Sequence, residues 1–311
     1  MFLAILVAVG GLALFGVITV LGIATWLAHK MTQVERHPVF GHPSQFGLAH
    51  EEVIFPSRRD KIPLSGWYLP SAPDTRCIIL IQGQAHHRNS RGIRALELGR
   101  DLAQNGFSVL LFDFRGRGES GGKRDSGGDR EQWDVLGAID YVTSRGIPLE
   151  RIGLLGFSLG AGVALLVAAK EPRIPAIVCD SAFLDSMEDL RKMPFLRLTL
   201  PSWFALPIAL AGRWFFGADF SKVRPIAAIT KMAPTPIFFI HGHRDRVTSY
   251  RESQTLYEAA GGSRNQIWIV PDGGHVSSYR SNPQEYVTKV VAFLRAHLVP
   301  APAAAHNTRG L

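Results

Sequence analysis

Short apolar segments alternate with longer amphipathic segments between residues 51 and 298. The apolar segments predict strands at 52–55, 64–69, 77–82, 108–113, 152–157, 176–180, 236–241 and 266–270. The first two are separated by a polar turn and predict an antiparallel hairpin, whereas the later ones are continuously apolar, as is typical of strands covered on both faces. Amphipathic helices are predicted at 91–105, 129–145, 159–170, 249–260 and 282–298. This alternation predicts an α/β fold with a mainly parallel sheet flanked by helices.

The segment at about 184–232 interrupts the alternation. It contains Pro194, Pro201 and Pro207 and a dense apolar run from Phe195 to Phe216. The run is too short and too broken by proline to predict a membrane span. We interpret it as a small helical cap inserted in a domain at 51–298. Residues 29–50 are predicted to be a linker and residues 299–311 a flexible tail.

The first 28 residues form one apolar run without Asp, Glu, Lys or Arg. About 20 apolar residues cross a bilayer core, so the run predicts a single transmembrane anchor. A cleaved signal peptide is the alternative, with a weak cleavage site at 22–24, but no basic residue precedes the run and it is long for that purpose. Lys30 and Arg36 follow the run and place the rest of the chain on the cytoplasmic side by the positive-inside rule.

Composition narrows the functional classes. Hydrophobic residues make up 46% and charged residues 19% of the 311 residues, which indicates a folded chain with a large core. The net charge is +8, yet no basic run or aromatic reading motif points to nucleic acid, so attraction to anionic lipid is the better interpretation. Cys77 and Cys179 are predicted to be buried free thiols. We expect no metal and no cofactor, because no ligand cluster or dinucleotide-binding loop stands out.

The sharpest chemical motif is Gly156-Phe157-Ser158-Leu159-Gly160. It lies between a predicted strand and a predicted helix, which is the context that a nucleophile elbow requires. Gly156 and Gly160 fit that interpretation because side chains two positions either side of a strained serine would collide. Ser158 is therefore the predicted nucleophile, and the helix that begins at Leu159 brings its positive dipole end to the site. An ordinary strand-to-helix turn is the alternative.

A serine nucleophile needs a base, and the base needs an orienting acid. Asp245 follows the predicted strand 236–241, and His275 lies on a glycine-containing loop after the predicted strand 266–270. The order Ser, Asp, His is the one expected of an α/β-hydrolase. Asp180 also follows a strand and is the rival for the acid. His241 and His243 are interpreted as structural, with His241 at the end of its strand.

On these motifs the chain from about residue 51 to 298 resembles the α/β-hydrolase superfamily. It is most similar to bacterial membrane-anchored members with serine aminopeptidase-like or acyl-esterase-like domains. The segment from Asp113 to Ser120, Asp-Phe-Arg-Gly-Arg-Gly-Glu-Ser, resembles the D-x-R-G-x-G-x-S segment of that superfamily, which holds a tight loop at the edge of the cleft. The resemblance implies an eight-stranded sheet and a catalytic triad of Ser158, Asp245 and His275.

One segment departs from the superfamily pattern. His-Gly usually follows the third strand, but this chain has Gln82-Gly83-Gln84. The resemblance implies an oxyanion hole made by the backbone N–H groups of Leu159 and Gln84, and backbone donors tolerate the change of side chain. The polar residues His86, His87 and Arg88 are expected to face water, with binding of a substrate carboxylate or phosphate as the alternative.

These residues together predict a serine hydrolase that cleaves carboxylic esters or related acyl bonds. The apolar cap favours an acyl-chain or lipid substrate, and its aromatic residues also suit contact with the membrane: Trp203, Phe204, Trp214, Phe215 and Phe216. A peptidase or an acyltransferase would use the same triad. A catalytically inactive, membrane-bound binding protein is the alternative from another class, supported only by the altered segment at 82–84. Dehalogenases and epoxide hydrolases are disfavoured because they need an aspartate in place of Ser158.

Overall fold

The protein is described here from a computed structural model, which covers residues 1–71, 76–84, 86–193, 198–232 and 235–299. Eight strands form one sheet in the order β1-β2-β4-β3-β5-β6-β7-β8. Their bounds are β1 Glu51–Pro56, β2 Pro63–Leu69, β3 Cys77–Ile81, β4 Ser108–Phe112, β5 Ile152–Phe157, β6 Ala176–Asp180, β7 Ile237–Gly242 and β8 Gln266–Val270.

Strand direction follows from how the strands are connected. The short turn after β1 makes β1 and β2 antiparallel, and β2 is also antiparallel to β4, whereas every pair from β4 to β8 is parallel. All residues of β3, β4, β5, β6 and β7 are buried, because helices cover both faces of the parallel part. The predicted α/β fold with a mainly parallel sheet is confirmed.

Within the described residues, ten α-helices with defined bounds accompany the sheet. Their bounds are α1 Phe2–Thr32, α2 Ala95–Gln104, α3 Glu131–Ser144, α4 Leu159–Ala168, α5 Ser186–Lys192, α6 Ala205–Ala211, α7 Pro225–Ile229, α8 Tyr250–Ala260, α9 Ser278–Ser281 and α10 Pro283–His297. One core cluster lies between the sheet and α3, α4, α7 and α8, and a second lies between the opposite face and α2, α9 and α10. Cys77 and Cys179 are buried in the first cluster as free thiols, as predicted.

Helix α1 is the predicted apolar run. Its most apolar 18-residue window has a mean hydropathy of 2.6, and no residue of that window is buried within the described structure. The helix continues four residues past position 28, the predicted end of the anchor, to Thr32. Packing stabilises the last turns of the helix: Ala24, Leu27, Ala28 and Thr32 are buried, and Thr32 Oγ1 donates to the Ala28 carbonyl at 2.8 Å.

The segment between β6 and β7 packs on the last turns of α1. A buried cluster joins the two segments. It contains Ala24 and Leu27 of α1, Leu190 of α5, Ile208 of α6 and Phe204, which directly precedes α6. A π-helical turn, Gly212–Phe216, follows α6 directly. Within the predicted cap, residues 194–197 lie outside the described residues, as do residues 300–311 of the predicted tail.

Candidate active site

Ser158 lies at the turn between β5 and α4 in a backbone conformation that side chains rarely adopt. Its φ is 51° and its ψ is −115°. A Cβ atom on Gly156 would overlap the carbonyl oxygen of Gly160, and one on Gly160 would overlap the carbonyl oxygen of Ile81. Glycine is therefore required at both positions, and the strained turn presents the Ser158 side chain at the carboxyl edge of the sheet.

His275 reaches Ser158 from the loop after β8. Its Nε2 lies 3.0 Å from Ser158 Oγ, and its Nδ1 lies 2.7 Å from Asp245 Oδ2. The loops after β7 and β8 approach closely because position 242 is glycine: a Cβ there would overlap the Gly273 carbonyl. The structure thus brings together three side chains that are up to 117 positions apart in sequence.

The side chain of Asp245 is fully buried and accepts several hydrogen bonds. The backbone N–H groups of Val247 and Thr248 donate to its Oδ1 at 2.8 and 3.0 Å. Burial opposes ionisation of this carboxyl and is the largest single influence on it. The hydrogen bonds from His241 and His275, reinforced by the Thr248 N–H, outweigh burial and hold the pKa of Asp245 below its usual range. Asp245 is therefore an ionised partner for His275 at neutral pH.

Asp180, the rival for the acid, occupies a different place. It is completely buried, and its Oδ1 accepts hydrogen bonds from the hydroxyls of Ser181 and Ser278 at 2.9 and 3.3 Å. Burial raises the pKa of Asp180 to about 6, in spite of the hydroxyl groups that favour its charged form. The Ser181 hydroxyl also accepts from the N–H of Val276, the residue after His275. Asp180 therefore supports the His275 loop from behind and does not contact the imidazole.

The segment at 82–84 lies beside Ser158. A Cβ on Gly83 would be 3.4 Å from the Cβ of Ser158, so the turn that carries Gly83 and Gln84 borders the serine. On the other side, Leu159 is the first residue of α4, and its N–H has no acceptor within the helix. The two backbone groups assigned to the oxyanion hole thus belong to the two segments that adjoin Ser158.

The expectation that His86, His87 and Arg88 face water is wrong for His87 and Arg88, which are buried, while His86 is half-buried. Arg88 Nη1 lies 3.0 Å from Asp113 Oδ2, its Nη2 donates to Glu119, and its guanidinium lies 4.5 Å from the centre of the Trp67 ring. The Arg88 backbone N–H also donates to Asp113 at 2.5 Å. An arginine can be buried here because two carboxylates compensate its charge.

The segment from Asp113 to Ser120 has the structural role expected of it. Ser120 Oγ donates to the Asp113 carbonyl at 2.6 Å and accepts from the Ser65 N–H at 2.9 Å. The Asp113 carboxylate accepts from the N–H of Glu119 as well as from Arg88. This loop therefore fixes Arg88, and through Arg88 it fixes the turn that borders Ser158.

His241, which the sequence indicates to be structural, holds Asp245 in place. Its Nε2 lies 3.1 Å from Asp245 Oδ2, and its side chain is fully buried. The sequence carried one usable signal, the four-residue interval between His241 at the end of β7 and Asp245. His243, by contrast, is exposed and stacks on the ring of Tyr250.

Comparisons with known proteins agree with this architecture. Residues 77–224 match the family described as the alpha/beta hydrolase fold. The uncharacterized protein YfhR of Salmonella typhimurium is 29% identical over 249 residues, which cover 74% of this chain and 76% of that protein. The lysophosphatidylserine lipase ABHD12 of Mus musculus is 28% identical over 209 residues, which cover 64% of this chain but 49% of the lipase. The Pyrococcus furiosus esterase Pf2001 superposes with a TM-score of 0.69 at 25% identity, covering 86% of this chain and all of the esterase.

Proposed function

We propose that this chain, which has the α/β-hydrolase fold, is a serine hydrolase that cleaves carboxylic esters or related acyl bonds. One observation carries the proposal: a single imidazole, His275, lies 3.0 Å from the hydroxyl of Ser158 and 2.7 Å from the carboxylate of Asp245. Acyl transfer to a serine requires this arrangement, in which a base contacts both the nucleophile and an orienting acid.

In the proposed reaction Ser158 Oγ attacks the acyl carbonyl carbon while His275 Nε2 takes the hydroxyl proton. Asp245 accepts a hydrogen bond from Nδ1 and stabilises the imidazolium. The backbone N–H groups of Leu159 and Gln84 would hold the tetrahedral oxyanion. The oxyanion collapses, the bond to the leaving group breaks, and His275 returns the proton to the departing oxygen. Water then repeats the cycle on the acyl-enzyme, which releases the acid and restores Ser158.

Covalent labelling tests this assignment. A fluorophosphonate probe is expected to label the wild-type protein and to leave Ser158→Ala unlabelled. Ser90→Ala is the matched control, because Ser90 is a buried serine outside the proposed catalytic triad. This substitution should leave labelling intact. A folded wild-type protein that resists the probe would contradict the proposal and favour an inactive binding protein. Turnover of aminoacyl amides in preference to esters would redirect it to a peptidase, and acyl transfer to an acceptor other than water would redirect it to an acyltransferase.

We also propose that α1 anchors the protein in a membrane, with the catalytic domain on the cytoplasmic side. A helix of 31 residues is about 46 Å long, which exceeds the apolar thickness of a bilayer. Lys30 and Arg36 follow its apolar part and support the cytoplasmic orientation. Protease digestion of sealed inside-out vesicles should remove the domain, while digestion of intact spheroplasts should spare it. The reverse pattern would contradict the orientation, and release of the domain without α1 would indicate a signal peptide.

A lipid or long-chain acyl substrate is the class that the cap supports best. Trp214 and Phe215 leave 76% and 70% of their surfaces exposed, and they border a largely apolar groove of about 990 Å³ between the cap and α1. Apolar surface of this extent next to a membrane-length helix suits lipid tails, since it would otherwise lie in water. The similarity to a lysophosphatidylserine lipase agrees with this class of substrate.

Chain-length preference tests the substrate class. The protein is expected to hydrolyse long-chain p-nitrophenyl esters with higher kcat/KM than short-chain esters. Trp214→Ala should reduce kcat/KM for the long esters by about tenfold, the effect of losing one large apolar contact, and leave the short esters unchanged. Ile54→Ala is the control, because Ile54 is equally exposed but lies on β1. Equal rates for all chain lengths would argue against a lipid-binding cap.

A further inference from the structure

Two imidazoles and one carboxylate meet at the outer edge of the sheet. His42, His50 and Glu52 each offer one ligand atom, and these atoms all lie within 4.8 Å of one another. His42 precedes the 3-10 turn Pro43–Phe46, His50 directly precedes β1, and Glu52 is the second residue of β1. Their spacing along the chain matches no metal motif, and only the fold brings them together.

The Nε2 atom of His50 has a lone pair that can bind a metal ion. His50 Nδ1 lies 3.0 Å from the Leu48 carbonyl oxygen. A carbonyl only accepts, so Nδ1 carries the hydrogen and Nε2 keeps its lone pair. A metal-binding histidine usually donates the hydrogen of its other ring nitrogen to an acceptor such as a backbone carbonyl, which fixes the tautomer and the orientation of the ring.

The other two side chains are held in a similar way. Without an ion, His42 Nε2 donates to Glu52 Oε1 at 2.9 Å, and its Nδ1 accepts from the Ser44 N–H at 3.4 Å. An ion at Nε2 would move the ring hydrogen to Nδ1, and the Ser44 hydroxyl, 2.8 Å away, can accept from it there. The indole N–H of Trp67 donates to Glu52 at 2.7 Å, and Trp67 itself is buried. Each candidate ligand therefore has a partner outside the trio that fixes its orientation.

We propose that His42, His50 and Glu52 bind a divalent transition-metal ion of the Zn²⁺ class. Two imidazoles and one carboxylate are a donor set that Zn²⁺ accepts, with water at the fourth position. Ligand atoms of one tetrahedral Zn²⁺ lie about 3.3 Å apart, so small side-chain rotations bring the trio to binding distance. The ion would replace the direct contact of His42 with Glu52. That contact does not include His50, whereas the ion would bind all three side chains.

Such an ion would fasten the chain between α1 and β1 to the edge of the sheet. At this point the segment around His42 meets the strand that carries Glu52 through the His42–Glu52 contact and through contacts between aromatic rings, with His42 and His50 4.5 Å apart. The ion lies at the strand farthest from β8 in the sheet order, whereas His275 follows β8. The proposed ion thus stabilises the domain and takes no part in the hydrolysis.

Metal titration tests the proposal on the full chain, purified in detergent without a polyhistidine tag and stripped with a chelator. One Zn²⁺ per chain is expected by calorimetry, and Co²⁺ should give the visible absorption of a tetrahedral site. Both His50→Ala and Glu52→Gln should raise the Kd by at least about tenfold, as the loss of one ligand of three requires. Glu52→Gln keeps an acceptor for Trp67, so its effect reports the carboxylate itself.

His37→Ala is the matched control, because His37 is an exposed histidine of the same segment outside the trio, and its Kd should equal that of the wild type. Zn²⁺ should also raise the Tm of the wild type and of His37→Ala but not of His50→Ala. Absence of a stoichiometric site in the wild type, or equal affinity in all four proteins, would overturn the proposal.

Discussion

His241 and His275 approach the same oxygen of Asp245. The distances to Oδ2 are 3.1 Å from His241 Nε2 and 2.7 Å from His275 Nδ1. His241 Nε2 also lies 3.0 Å from the Thr248 carbonyl, and its Nδ1 lies 2.7 Å from Ser253 Oγ. Because Nε2 faces only acceptors, it carries the hydrogen, and Ser253 donates to Nδ1. His241 is therefore a donor that fixes the Asp245 carboxylate in the direction of His275.

Replacing His241 should weaken catalysis without removing any proposed reacting group. A hydrogen bond to a charged group contributes about 1.5–3 kcal/mol, so His241→Ala is expected to reduce kcat at least about tenfold with little change in KM. His241→Gln, which can still donate, should recover part of the loss. Steady-state kinetics on a p-nitrophenyl ester measures both. A wild-type kcat in His241→Ala would show that the backbone N–H groups of Val247 and Thr248 suffice to hold Asp245.

The free energy of unfolding should depend on pH through the protonation of the buried Asp180 carboxyl. Its folded pKa of about 6 exceeds the ordinary 3.8, so the folded state binds the proton more tightly than the unfolded state. Stability is therefore lost as pH rises from 3.8 to about 6, and the loss amounts to about 3 kcal/mol above that range. Asp180→Asn, which imitates the neutral acid, should be more stable than the wild type at pH near 8 and equal to it below pH near 4.

Denaturant unfolding at a series of pH values checks this prediction. Asp140→Asn serves as the control, because Asp140 is an exposed carboxylate paired with Arg58 on the surface. A variant Asp180→Asn that is less stable than the wild type at every pH would mean that the charged form is the one the fold requires.

The two glycines around Ser158 should tolerate no side chain. In Gly160→Ala the new methyl group would meet the backbone carbonyls of Ile81 and Gln82, which cannot move without distorting β3. We expect destabilisation of about 3 kcal/mol and loss of probe labelling at Ser158. Gly92→Ala is the control, since a Cβ there meets nothing closer than 3.8 Å. Thermal melts and fluorophosphonate labelling of both variants are the measurements, and a labelled, stable Gly160→Ala protein would be inconsistent with this geometry.

Arg88 should govern the turn that carries Gly83 and Gln84. Arg88→Met removes the buried charge that compensates Asp113 and is expected to cost about 3–5 kcal/mol of stability. The double variant Arg88→Met with Asp113→Asn should recover much of that loss, because no unpaired charge remains buried. Both proteins should show reduced kcat, since the proposed Gln84 donor is no longer held in place. Chemical denaturation and kinetics separate the two effects, and full activity in the double variant would show that the turn is held by other contacts.

Local pattern is sufficient to predict the eight strands and the main helices that alternate with them. The continuous apolar runs at 77–81 and 152–157 predict buried parallel strands, because a strand covered on both faces has no polar side. The glycines at 156 and 160 predict a strained turn for the same local reason. The positions of Asp245 and His275 directly after strands could also be read from the sequence, since the ends of parallel strands meet at one edge of the sheet.

Contacts between distant segments could not be derived in this way. The sequence of His87 and Arg88 is that of an exposed polar loop, and only the approach of Asp113 and Glu119 makes burial of the guanidinium favourable. Helix α1 extends to Thr32 because the cap packs on its last turns. The sequence of the helix itself does not predict that contact.

The sequence by itself therefore determined the order of strands and helices, the apolar N-terminal helix and the candidate nucleophile, all of which depend on neighbours a few positions apart. The tertiary structure decided which charges are buried, which histidines share Asp245 and which side chains meet at His42, His50 and Glu52. The physical reason is that a buried charge or a shared hydrogen bond is favourable only when its partner arrives from elsewhere in the chain.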